Sequence, residues 1–107
     1  MAEEYLQVAT TAGSRDEADR LARSAVEHRL AACAQVAGPI RSTYWWQGTV
    51  ETAEEWACVL KTTAARFEAL RAHLEAEHSY ETPEIVATPI ATGSHDYLAW
   101  VSRETSS

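Results

Sequence analysis

The stretch His78-Ser-Tyr-Glu-Thr-Pro-Glu-Ile-Val86 closes a charged, helix-patterned segment and runs directly into an apolar strand. It sets an imidazole, a phenol and two carboxylates, Glu81 and Glu84, at one helix-to-strand joint. Upstream of the joint, residues 64–78 carry Phe67, Leu70 and Leu74 at steps of three and four, with His78 on the continuation of that stripe. Arg71/Glu75 and His73/Glu77 form i,i+4 pairs on its exposed side. Downstream, Glu84 to Ile90 reads as a strand, and Ser94 as the cap of a short final helix bearing Tyr97, Leu98 and Trp100.

The N-terminal half supplies the matching pieces. Residues 4–11 are rich in Tyr, Val and Thr and read as a first strand, broken at Ala12-Gly13. Ser14-Arg-Asp-Glu17 has the form of a capping box, in which each end residue bonds the other's backbone N–H. Ala18, Leu21, Ala22, Ala25, Val26 and Leu30 then make a helical stripe over about 15–31. Cys33 to Ala37 returns to strand, Gly38-Pro39 interrupts it, and Ile40 to Gln47 resumes. Gln47-Gly48 is the expected tip of a long hairpin whose return strand runs over about 49–62. The order β-α-β-β-α-β with a C-terminal helix is an α+β, ferredoxin-like sandwich, as one domain over 1–107.

The composition narrows the function classes. The net charge is −7 with no basic run, which argues against nucleic acid as the main partner. No apolar run approaches the ~18 residues of a membrane span, so no membrane partner is expected. The first residues lack a basic and apolar leader pattern, and Cys33 and Cys58 form no CxxC pair. Both features are those expected of a reducing, cytoplasmic setting.

Strand patterning bears on assembly. Both main helices of such a fold cover one sheet face, and the other face should then alternate apolar with polar residues. Trp56, Cys58 and Leu60 oppose Ala57 and Val59, Ile85 and Ala87 oppose Val86 and Ile90, and Trp45 opposes Trp46. Leaving even ~400 Å² of apolar sheet exposed would forfeit about 10 kcal/mol at ~25 cal/mol per Å². Covering by identical subunits, with the hairpin extending past its own sheet onto a neighbour's edge, is the expectation.

Several stretches, taken together, resemble the CutA family of divalent-cation tolerance proteins. They are Ala9-Thr10-Thr11; Ala18 to Ala22 and Glu27 to Cys33; Tyr44-x-Trp46-x-Gly48-x-Val-Glu51; Glu55 through Lys61-Thr62; His78-x-Tyr80-Glu-x-Pro83-Glu-Ile85; and Tyr97-Leu-x-Trp100. Ser79 stands where the family usually has proline, and Gln35 where asparagine is usual. The resemblance implies a homotrimer, shaped like the PII signalling proteins, with no obligatory cofactor and with copper or another divalent cation as ligand. It also implies metal binding in part through Cys33 and His78, a thiolate and an imidazole suited to copper or zinc. Two ligands are too few for a closed site, so Glu81, Glu84 or a neighbouring subunit would complete it. The residues alone allow a plainer reading, with Cys33 a small buried hydrophobe and His78 a helix-end residue suited to the dipole.

The remaining candidates read as structural. Cys58 belongs to core or interface, His28 and His73 sit among charged neighbours, and Lys61 could meet an anion. Ser94-His95-Asp96 spells a hydrolase triad, but sequence neighbours cannot converge with the histidine between the other two. An enzyme is therefore not expected. A PII-like module binding a small metabolite between subunits, or a trimer presenting a protein-binding surface, remain as alternatives.

Overall fold

The computed structural model describes residues 3–106. The elements are β1 (Tyr5–Ala12), α1 (Arg15–Glu27), β2 (Cys33–Trp46), β3 (Thr49–Thr63), α2 (Phe67–Glu77, entered through a 3-10 turn over Ala64–Arg66), β4 (Val86–Pro89) and α3 (His95–Thr105). The sheet order is β2-β3-β1-β4 with every pairing antiparallel, the split βαβ arrangement. Val8, Cys58, Leu60, Leu21, Ala25, Leu70 and Leu74 meet in one buried cluster, so α1 and α2 share one face of the sheet. Each fully buried Leu contributes about 1.5–3 kcal/mol relative to exposure.

Three boundaries differ from the sequence reading, each for a local reason. Helix α1 stops at Glu27, not near residue 31. The Leu30 N–H bonds the Ala25 carbonyl and the Arg29 N–H that of Val26, with Arg29 in the left-handed region at φ 59. This is a Schellman ending. Leu30 is still buried, but as the residue that folds back on the helix rather than as its last turn. The Arg29 side chain is held by the carbonyl and carboxylate of Glu104 in α3, an anchor that a glycine there would lose.

Strand β4 pairs only from Val86 to Pro89, shorter than the expected 84–90. Continuing the ladder would bring Glu84 opposite Thr11, whose carbonyl is already bonded by the His78 ring. At α3, Ser94 holds the N-cap position, but its side chain makes no cap bond.

The expected break at Gly38-Pro39 is instead a β-bulge in an unbroken strand. Ala37 pairs with Ala57 and Ile40 with Glu55, so Gly38 and Pro39, joined by a cis peptide, oppose Trp56 alone. Because β2 is an edge strand, proline's missing donor costs the sheet no ladder bond. A Cβ at Gly38 would lie 2.7 Å from Trp56 Cδ1, so the indole packs where only glycine leaves room.

The extra residue reverses which side chains share a face. Upstream, Cys33 and Gln35 lie with Val59 and Lys61 on the face away from α1 and α2. Past the bulge, Ile40, Tyr44 and Trp46 occupy that same face, opposite Glu55, Glu51 and Thr49. Helix α3 covers one end of it, reaching Tyr5 through Ser102 (2.6 Å) and Cys33 through Tyr97 (3.3 Å). The sheet centre on this side mixes Ala9, Ala57 and Val59 with Gln7, Gln35 and Lys61, so it is less uniformly apolar than expected. Most of the large exposed apolar side chains gather on the hairpin: Ile40, Tyr44, Trp45, Trp46 and Val50, with Trp45 74% exposed; Val26, Val86 and Tyr97 lie elsewhere. Its tip, Gln47-Gly48, has both residues at positive φ (50 and 81), as a type I′ turn requires. The hairpin draws the chain out to 46 × 25 × 22 Å, with a radius of gyration of 14.4 Å against about 13 Å for a compact chain of this length.

One core atom stands out. The Thr10 hydroxyl, on the strand opposite Cys58, is buried and has no hydrogen-bond partner. An unpaired buried hydroxyl costs about 1–3 kcal/mol. Thr10→Val, which trades it for a methyl of similar size, should raise stability by about 1 kcal/mol in urea unfolding; equal or lower stability would show that the hydroxyl is satisfied.

Candidate functional site

The joint that follows α2 is built around His78, the C-cap of that helix, whose side chain has 0% exposure. Its Nε2 lies 2.7 Å from the Thr11 carbonyl, which can only accept, so Nε2 carries the proton. Its Nδ1 accepts from the Tyr80 backbone N–H at 3.0 Å. The ring is thus a neutral imidazole with both nitrogens used inside the chain. It lies tilted against Tyr80, with centroids 4.8 Å apart and planes inclined at 42°.

Glu17, in the first turn of α1, faces the same joint. Its N–H is capped by Ser14 Oγ at 3.1 Å, so one half of the capping box forms. Its carboxylate does not reach back to Ser14. It accepts instead from the Ser79 N–H (2.9 Å) and Ser79 Oγ (2.8 Å), with His78 Nδ1 3.6 Å away. Burial alone would push this carboxyl up, but the two Ser79 donors, with the Arg20 guanidinium nearby, hold it below the usual range. Ser79, standing where the family resemblance has proline, therefore ties the joint to α1 through two bonds, neither of which proline can make.

Tyr80 reaches past Gly13 to donate to the buried Glu55 carboxylate in β3 at 2.8 Å. Burial first, and then that bond and charge, push the phenol well above its ordinary range. Its value at this site is as a hydrogen-bond donor, not as a base.

Cys33 opens β2 at the opposite end of the sheet and is partly exposed. Its Sγ is 3.3 Å from Tyr97 Oη, and that bond, with some burial, pushes the tyrosine to about 12. Lys61, its cross-strand partner, donates to Gln35 at 3.0 Å. Cys33 lies level with Gln7, whereas His78 bonds at Thr11, four residues along β1. At a strand rise of ~3.3 Å per residue, that is a separation of about 13 Å.

Within one chain the expected ligands therefore lie apart. Cys33 and His78 do not share a point in one chain, and His78 has no free lone pair. Glu81 and Glu84 are exposed beside the joint. Among the described residues, no three His, Cys, Asp or Glu side chains converge as a metal site. Cys58 is buried, its thiol pushed up to about 11 by burial first and by Asp19 second.

Sequence reasoning missed two features. Glu17 was read as a cap only, because nothing local reveals that its carboxylate meets Ser79. The sequence pairs His73 with Glu77, yet its ring meets Ser24 and lies tilted against His28. The signal for the second was the placement of His28 and His73 on helices that share one sheet face.

Comparison with known proteins gives a consistent result. The family described as CutA1 divalent ion tolerance protein matches residues 6–104. A divalent-cation tolerance protein CutA of Archaeoglobus fulgidus is 43% identical over 91 residues, spanning 85% of this chain and 88% of its own. One of Thermus thermophilus is 41% identical, spanning 92% and 95%. The solved structure of the A. fulgidus protein, described there as periplasmic, superposes with a TM-score of 0.92 at 38% identity over 95% of this chain and 99% of that one.

The Glu17 geometry has a pH consequence. A carboxyl held below its unfolded value adds stability above that value and loses it as the pH falls through the folded one. Glu17→Gln should be destabilised relative to the parent by about 1–2 kcal/mol at neutral pH. The difference should shrink as the medium is made acid, because the parent's own carboxyl then becomes neutral. Urea midpoints of both proteins across the acid range check this; a gap that stays constant would contradict it.

Proposed function

The chain belongs to the CutA1 divalent ion tolerance protein family, and on that premise we propose that it works as a homotrimer holding a divalent cation of the copper type, by binding rather than catalysis. The observation that carries the assembly is the hairpin. Ile40, Tyr44 and Trp46 stand on the face away from α1 and α2, and Trp45 and Val50 stand on the other side of a ribbon that projects from the body. Covering such side chains stabilises by about 1 kcal/mol or more each. Three is the subunit number that the family resemblance implies.

The cation would bind through the partly exposed Cys33 thiolate, the softest donor that the chain offers to the surface. Glu81 and Glu84, exposed on the opposite end of the sheet, would reach it only from a neighbouring subunit, so the proposed site is one shared between subunits. His78 then acts through the joint, fixing the segment that carries the two carboxylates. Two unpaired thiols suit a reducing compartment, in keeping with a cytoplasmic protein.

Two measurements test this reading. Sedimentation of the parent chain should give a trimer, and the double variant Trp45→Lys/Trp46→Lys should shift it toward monomer; a parent that sediments as a monomer rejects the assembly. Isothermal titration with Zn²⁺ should show binding that Cys33→Ser weakens by at least about tenfold. Unchanged Zn²⁺ affinity in that variant removes Cys33 from the site.

A further inference from the structure

The chain has four histidines. His78 is consumed by its internal bonds, and His95 is a surface residue beside Asp96. The other two, His28 at the C-cap of α1 and His73 in α2, face each other across the helical layer with ring centroids 4.8 Å apart and planes inclined at 43°.

One residue orients both rings. His28 Nδ1 is 2.8 Å from the Ser24 carbonyl. A carbonyl only accepts, so Nδ1 holds the proton and Nε2 keeps its lone pair. His73 Nε2 is 2.7 Å from the Ser24 hydroxyl; when that nitrogen donates, Nδ1 carries the free lone pair. A ring nitrogen donating to a backbone carbonyl or similar acceptor while the other faces outward is the usual setting of a metal-bound histidine.

The spacing agrees. With metal–nitrogen bonds of about 2.0–2.1 Å, an imidazole centroid sits about 3.2 Å from the ion, and two rings at a tetrahedral angle have centroids about 5 Å apart. The observed 4.8 Å falls at that value. His28 also lies at the C-terminal end of α1, where unpaired carbonyls carry partial negative charge, and the net charge of −7 favours cation approach.

From these observations we infer that His28 and His73 form a two-imidazole site for a borderline divalent cation, bridging α1 and α2, with water in the remaining positions. Glu77, one turn beyond His73 on α2, is at the i,i+4 spacing from which a carboxylate could add a third donor. Nitrogen donors without a thiolate place Cu²⁺ first among the available ions, ahead of Ni²⁺ and Zn²⁺. This site does not involve Cys33 and stands or falls separately from the one proposed above.

The test uses the full chain carrying Cys33→Ser, so that no accessible thiol reacts with copper. Titrated with Cu²⁺ alone, it should bind the ion, show nitrogen hyperfine coupling in its electron paramagnetic resonance spectrum, and melt at a higher temperature. His28→Ala and His73→Gln should each weaken binding by at least about tenfold and abolish the thermal shift, while His95→Ala should change neither. His28 is exposed, so its variant should fold like the parent. Failure of the Cys33→Ser chain to take up Cu²⁺ overturns the inference, and so does binding by His28→Ala or His73→Gln that equals that of their parent.

Discussion

A single buried imidazole fixes where the second half of the chain goes. His78 donates to Thr11 in β1 and accepts from Tyr80 two residues on. It thereby ends α2, stops the β4 ladder at Ala9/Val86 and aims the Tyr80 ring toward Glu55. Glu17 secures the same turn from the α1 side through Ser79. Two helices, two strands and the segment bearing Glu81 and Glu84 thus depend on one neutral ring. A residue type that sequence alone would offer as a ligand is here committed to architecture, because neither of its nitrogens is left over.

The second organising element is the bulge at Gly38-Pro39. One extra residue changes the pleat, so that aromatic side chains due to lie above the helical layer pass to the opposite face. The strand thereby carries two programmes: before the bulge it closes the core through Ala34 and Val36, and after it builds an outward, aromatic ribbon. Trp56, packed over Gly38, stiffens the point where the two meet.

The sequence was most informative where period and punctuation agree. Ser14 before a helical stripe, Gln47-Gly48 between β-rich runs, and Leu70/Leu74 ahead of His78 all led to the correct elements. It was least informative where a side chain from elsewhere decides the outcome. The end of β4 depends on an imidazole competing for Thr11, and the end of α1 on Leu30 folding back while Arg29 finds Glu104. The candidate site was legible as chemistry, a thiol, an imidazole and two carboxylates, but not as geometry. The register places Cys33 and His78 at opposite ends of β1, a fact that no local pattern encodes.

Cys58 has a consequence of its own. Its sulfur lies beneath α1, is fully buried, and has its thiol pushed to about 11, so in the native state it is both shielded and protonated. A disulfide reagent can attack it only when the helical layer lifts from the sheet. The rate of that modification is then a stopwatch for the opening of this interface, readable in the unaltered protein without any introduced label.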